Sequence, residues 1–178
     1  SDAVAAAIGS HHVDPATGRL AAIVLGTGVG LAVLDGGEPV TIGARGIGHL
    51  GQVDVGVEPM PLGPDGGRGG LEGYLGLRAL EARFGERIAE GLSGLDGEDP
   101  ILRALARACR IVHAIYTPDE IRLLGGVGML LEPVLCKLEG LVRTELTGVA
   151  REGWTMRCAD SAYLAAIGAA VHAGRSSA

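Results

Sequence analysis

Aromatic side chains are nearly absent from this sequence: Phe, Trp and Tyr together make up 3% of its 178 residues. A core of that composition has to be closed by Leu, Ala, Val and Ile, with backbones brought close together. An excess of basic charge is missing too. Fifteen Lys and Arg stand against 21 Asp and Glu, a net charge of -6, so no broad cationic surface exists to neutralise a phosphate backbone or an anionic leaflet. Neither nucleic acid nor a membrane is an expected partner of this segment. No apolar run reaches the roughly 18 residues that a membrane helix needs, and the first residues lack the charged, apolar and small-residue order of a signal peptide. Cysteine is scarce: Cys109, Cys136 and Cys158 are far apart, odd in number and set within apolar patterns. That predicts buried thiols in a reducing, cytoplasmic compartment and not a disulfide framework.

What the sequence has in abundance is glycine, 31 residues, of which 17 fall between Gly26 and Gly76. With 47% apolar and 20% charged residues the chain is expected to form one globular unit. The glycines divide it into a loop-rich first half and a helical second half. Ser1 and Asp2 precede an Ala-rich run and read as the N-cap of a helix through about Ile8, one that began inside a larger protein. Leu20 to Leu25 and Val29 to Leu34 read as two strands of a hairpin, and Pro39 to Ile42 as a third strand. The glycine-rich stretch from Gly43 to Gly70 exceeds ordinary loop lengths, which predicts a functional or mobile segment.

Helical patterns follow at Leu71 to Leu75 and at Leu77 to Ala89. Asp99 then supplies an N-cap and Pro100 the first helical position for a helix with Leu102, Leu105, Cys109, Val112 and Tyr116 on one face. Arg103, Arg107 and Arg110 fall on the wet face, while His113 shares the face of Cys109 and Tyr116 and reads as a core-edge residue. His11 and His12 read as part of a polar turn. After Pro118 come a strand at Glu120 to Leu124, a helix opened by Gly125-Gly126-Val127-Gly128 that carries Leu131, Leu135, Leu138 and Val142, a strand at Thr155 to Cys158, and a helix over about Ala162 to Ala173. A helix, a three-strand meander, helices, then alternating strands and helices make an α/β fold with the topology of ribonuclease H-like domains, the module of actin-like ATPases.

Two turns carry chemistry. In Leu25-Gly26-Thr27-Gly28-Val29-Gly30, Gly26 and Gly28 let a strand turn approach an anion without Cβ interference and Thr27 adds a hydroxyl donor, although a plain hairpin explains the same residues. Gly125, Gly126 and Gly128 would admit an adenine or ribose beside a helix N-terminus, or would serve close strand-to-helix packing.

These pieces occur in the order and approximate spacing of the ROK family of bacterial sugar kinases and sugar-responsive repressors, and the chain resembles that family over nearly its whole length. Ser1-Asp2-Ala3 looks like the family's Asn-Asp segment, and Leu25 to Gly30 resembles its second phosphate loop. Gly48-His49 falls in its Gly-Glu-x-Gly-His motif. Gly67-Arg68-Gly69-Gly70-Leu71-Glu72-Gly73-Tyr74 is similar to Asn-Arg-Gly-Cys-Leu-Glu-Ala-Tyr, Ile121 to Val127 to the adenosine-side turn, and Ile167-Gly168-Ala169-Ala170 to a family helix.

The resemblance implies that residues 1–178 are the C-terminal lobe of a longer protein whose activity is ATP- and Mg2+-dependent phosphorylation of a hexose or amino sugar. Asp2 would be the general base, although a helix cap is its plain alternative. Ser1, Asp2, His49 and Glu72 would bind sugar, Gly26, Thr27 and Gly28 the phosphates, and Gly125, Gly126 and Gly128 the adenosine. The family also implies a homodimer. As a lone lobe the chain is expected to be inactive, and a sugar-sensing repressor domain or a degenerate binding module are the alternatives.

Three departures matter. Gly46 stands where the family has a Glu, and losing a charged hydrogen bond worth about 1.5 to 3 kcal/mol weakens hexose binding roughly tenfold to a hundredfold. The family's zinc loop aligns with Gly63 to Gly70, where all three thiolate ligands are missing, so no zinc site is expected and the loop should be ordered only by packing or by a ligand. Ser1 also replaces an Asn that orients the sugar.

Overall fold

The protein is described by a computed structural model in which residues 1–43, 46–64 and 66–175 are placed. Helix α1 (Asp2–Val13) leads into strands β1 (Arg19–Leu25), β2 (Val29–Asp35) and β3 (Glu38–Pro39). After the glycine-rich segment come four helices: α2 (Glu72–Leu75), α3 (Leu77–Phe84), α4 (Ile88–Ser93) and α5 (Pro100–Tyr116). Strand β4 (Glu120–Leu124), helices α6 (Gly125–Met129) and α7 (Leu135–Glu145), strand β5 (Thr155–Cys158) and helix α8 (Leu164–Arg175) complete the order.

The strands form one mixed sheet in the order β3-β2-β1-β4-β5. β1 runs antiparallel to β2 with Leu25 opposite Val29, and parallel to β4 with Leu20 opposite Glu120. β1 and β4 are neighbours inside the sheet, covered on both faces and buried almost throughout, β1 as an apolar run from Leu20 to Leu25 and β4 with Glu120 and Arg122 buried among its apolar residues. One face carries a core with Ile23, Leu75, Leu102, Leu105, Ile121, Leu123 and Leu138, beneath α5 and α7. The other face packs Ala6, Ala7, Leu20, Leu34 and Leu124 under α1 and α8.

The shortage of aromatics shows in how α1 and α8 meet. A Cβ on Gly9 would lie 1.9 Å from the Leu164 carbonyl oxygen, and one on Gly168 would lie 1.8 Å from that of Ala5. The two backbones touch, and alanines fill the remainder.

Several boundaries differ from the sequence-based expectation. α1 continues past Ile8 to Val13, so His11 and His12 belong to its last turn, and the Ala16 amide donates to His11 Nδ1 at 3.2 Å. The third strand is only Glu38–Pro39 and does not reach Ile42; one further bond, from the Val40 amide to the Val33 carbonyl at 2.8 Å, ends its pairing with β2. The helix expected through Ala89 is split at Gly85, whose φ of +60° ends α3. The long helix after Gly125 breaks at a 3-10 turn, Glu132–Val134, around Pro133. Cys109 is buried and Cys158 half-buried, but Cys136 is exposed on α7, correcting the expectation of three buried thiols. The Asp99 cap is as expected: its Oδ1 accepts from the Ile101 amide at 2.9 Å. Arg107 is not a solvated side chain, since its guanidinium donates to the carbonyls of Val55 and Gly56 at 2.8 and 2.5 Å and fastens the glycine-rich segment to α5.

One buried cation was invisible in the sequence. Arg122, on β4, is 3% exposed and reaches the end of α1, donating to the Ser10 hydroxyl at 2.8 Å and to the Asp14 carbonyl at 3.0 Å. Its charge is matched by Glu120, whose Oε1 accepts from Arg122 Nε at 2.6 Å and whose two oxygens accept from Arg157 at 2.9 and 3.0 Å.

Candidate functional site

Because β1 and β4 are parallel neighbours, the loops that follow them open on the same rim of the sheet, where ligands of open α/β sheets bind. The two loops are in contact. Gly125 adopts φ +83°, and a Cβ there would lie 2.3 Å from the Leu25 carbonyl oxygen, so only glycine permits this approach. Gly128 is similarly close to the backbone of Leu123 at 3.0 Å, whereas Gly126 is exposed and opens on free space.

The hairpin turn is built so that its tip points outward. The Gly26 amide donates to the Gly28 carbonyl at 3.0 Å, and the Gly26 carbonyl accepts from the Leu77 amide at 3.1 Å, which moors α3 to the turn. Thr27 is left exposed at the tip, and among the described residues nothing pairs with its hydroxyl or its amide. Since residues 26 and 28 form the hydrogen-bonded pair, Leu25 and Val29 form a non-hydrogen-bonded one, and the Val29 N–H turns away from β1. It donates to Glu72 Oε2 at 3.0 Å.

Glu72 is therefore fixed against the hairpin from the first turn of α2, and two clefts meet at it. One, of about 330 Å³, is lined by Val29, His49, Gly51 and Gln52, by Gly63, Pro64, Gly67 and Gly70, and by Glu72. The other, of about 880 Å³, is lined by Thr27, Gly28, Gly76 and Arg78, by Pro61, Leu62 and Pro64, and again by Glu72. Gly28 and Gly51 must be small for this carboxylate to stand where it does, because a Cβ on either would come within 2.8 and 2.9 Å of Glu72 Oε2.

Ser1 and Asp2 lie on the same rim without lining either cleft. A Cβ on Gly30 would be 2.9 Å from the Ala3 side chain, so the start of α1 sits over the start of β2, one residue along from the Val29 amide that Glu72 holds. Ser1 is the N-cap but makes no side-chain capping bond. Among the described residues the Asp2 carboxylate makes no hydrogen bond or ion pair, and it stands in the first turn of α1, where a negative charge favours the helix N-terminus.

No protein-family model and no curated protein sequence matches the chain. Solved structures do. A ROK hexokinase from Thermus thermophilus superposes with a TM-score of 0.75 at 25% identity over 96% of this chain and 64% of its own. A ROK family glucokinase from Streptomyces griseus, solved with glucose and AMPPNP, gives a TM-score of 0.75 at 20% identity over 98% of this chain and 67% of its own. A ROK family transcriptional regulator, a homolog of the E. coli MLC protein, gives 0.74 at 18% over 97% and 52%. This chain has the ROK fold. ROK sugar kinases have the actin-like ATPase fold, and the mixed five-stranded sheet with helices is its α/β framework here. The chain spans about half to two thirds of the length of the solved structures it matches.

Against the ROK pattern, His49 and Glu72 are brought to one cleft, while Gly46, in place of the family's Glu, is exposed and offers no side chain. The segment aligned with the ROK zinc loop is held by its own backbone, which corrects the expectation of order by packing or ligand alone. Leu62 bridges to Arg68, the Gly63 amide donates to the Gly67 carbonyl at 2.7 Å, and Asp54 bridges to Gly70. Asp65 of that segment lies outside the described residues. Among the described residues no three His, Cys, Asp or Glu side chains are grouped to hold a metal ion, and no helix is long and apolar enough to cross a membrane. Gln52 and the two prolines of the cleft walls, Pro61 and Pro64, were not legible as site residues, having no motif of their own. The spacing from Val29 to Glu72 carried no signal either, because the bond between them crosses 43 residues.

Proposed function

We propose that this chain is the C-terminal lobe of a ROK-type sugar kinase that phosphorylates a hexose or amino sugar. The observation that carries the reading is Glu72, a carboxylate bonded to the hairpin amide and shared by two adjoining clefts. The hydroxyl-binding partners gather on one side of it, with His49, and the anion-accepting hairpin tip lies on the other, with Thr27. A transferable group on the Thr27 side and a sugar on the His49 side would meet beside Glu72, close to the start of α1.

The residues present fit a nucleotide: the Thr27 amide and hydroxyl are unpaired among the described residues, a Cβ at Gly26 would meet nothing within 4 Å, and Gly126 leaves open space at the end of β4. ATP with Mg2+, when bound, supplies the phosphoryl group. Gly26, Thr27 and Gly28 hold its phosphates, and Gly125, Gly126 and Gly128 make room for its adenosine. His49 and Glu72, with Ser1, hold sugar hydroxyls and fix the ring. Asp2 accepts the proton of the attacking hydroxyl. Phosphoryl transfer depends on positioning and on charge stabilisation from both sides, and this lobe supplies one side, so catalysis requires a second lobe. The protein is assigned to the cytoplasm, as a homodimer that acts on a small sugar and leaves nucleic acid alone.

The test is a coupled ADP-release assay on the full-length protein against a panel of hexoses. Asp2→Asn is expected to lower kcat by about 10²- to 10⁴-fold with little change in KM. Turnover that survives this substitution would remove Asp2 as the base.

Gly46 favours a second reading, a degenerate binding module, because the loss of one carboxylate weakens hexose binding. Sugar binding without ADP release for any member of the panel would select instead the ligand-binding part of a ROK repressor.

A further inference from the structure

We propose that Arg78 is the cationic anchor for the phosphate chain of the donor, and that it sets how tightly a polyanion is held at the hairpin tip. The inference rests on the proposed nucleotide reading of the Thr27 cleft, and none of the matched motifs includes this residue.

Three observations support it. Arg78 lines the same cleft as Thr27 and Gly28. Its position relative to them is fixed, because the preceding residue, Leu77, donates its amide to the Gly26 carbonyl at 3.1 Å. Gly76 leaves no room for slack: a Cβ there would lie 2.7 Å from the Glu72 carbonyl oxygen and 3.5 Å from that of Thr27. The first turn of α3 and the hairpin thus move as one piece.

The charges around the cleft point the same way. Its other arginine, Arg83, is committed, because its guanidinium donates to both Asp99 oxygens at 2.9 and 2.5 Å. Glu72 adds a negative charge, and its Oε2 is already bonded to Val29. Arg78 is exposed, and among the described residues it makes no hydrogen bond or ion pair. In a chain of net charge -6, a polyanion entering this cleft needs a local cation to hold it. A free guanidinium fork on a moored helix turn offers two parallel donors to a phosphate.

The test measures binding of Mg2+-AMPPNP, inorganic tripolyphosphate and adenosine to the full-length protein by isothermal titration at two salt concentrations. Arg78→Ala is expected to weaken AMPPNP and tripolyphosphate about tenfold, to flatten their salt dependence and to leave adenosine unchanged. Arg78→Lys should restore the salt dependence but only part of the affinity, and Arg87→Ala, a charge removed from the start of α4, should change nothing. Polyanion binding that stays within twofold in Arg78→Ala would overturn the inference. If Thr27→Ala weakened binding in that same experiment, the nucleotide reading would stand without Arg78. Absence of any polyanion binding by the unsubstituted full-length protein would overturn both.

Discussion

Glu72 holds the Val29 amide and, in the proposed site, a sugar hydroxyl, and substitutions separate the two. Gln keeps an oxygen that accepts the Val29 N–H but loses the charge that a sugar hydroxyl would donate to, so Glu72→Gln is expected to raise the hexose KM by about tenfold to a hundredfold with little change in thermal stability. Glu72→Ala strands the Val29 amide as well, and should lose about 1–3 kcal/mol of stability in denaturant titration. The titrating residues give a second prediction. His113 is buried against Trp154, with ring centroids 5.3 Å apart, and burial, assisted by the nearby Arg143 charge, lowers its pKa from the ordinary 6.5. The unfolded chain therefore takes up this proton first, and stability falls as pH drops below about 6.5 until the folded pKa is passed. Glu120 adds to the acid side. Burial alone would raise its pKa, but hydrogen bonds from Arg122 and Arg157 outweigh that and lower it below 4.5, so its contribution is complete above 4.5 and lost as pH falls through the folded value. Urea titrations at pH 7.5, 6 and 5 should show falling stability, and His113→Leu should flatten that part of the curve.

At the scale of elements, the glycine contact between α1 and α8 determines where the start of α1 is held. Gly168→Ala drives a methyl group into the Ala5 carbonyl, and the strain should lower stability by roughly 1–3 kcal/mol, or a few degrees to about ten in Tm. A Tm within a degree of the parent would show that the helices separate without cost. This contact also shows what the sequence concealed. Pro100 after Asp99 announced α5 because the capping signal is local, and the unbroken apolar run from Leu20 to Leu25 announced β1. The end of α1 was misread because Gly9 looks like a helix terminator until α8, which fills the space beside it, is known. Arg122 was missed for the same reason: its partners Ser10 and Asp14 are more than a hundred residues away. His49 and Glu72 were legible only through their likeness to ROK motifs, and nothing local revealed that Glu72 also holds the Val29 amide or that Arg78 stands beside Thr27.

For the whole molecule, the sheet order places the hairpin, the Gly125 turn and the start of α1 on one rim, and Glu72 divides that rim into two adjoining chambers. An anion on one side and a sugar on the other is the central claim, and the most direct test is a crystal structure of the full-length protein with glucose and AMPPNP. The account predicts hexose hydroxyls on His49 and Glu72, phosphate oxygens on Thr27 and Arg78, and the Asp2 carboxylate within hydrogen-bonding reach of the reacting hydroxyl. Phosphates and sugar bound away from Glu72, or a hairpin tip closed by its own side chains with Asp2 turned outward, would contradict it.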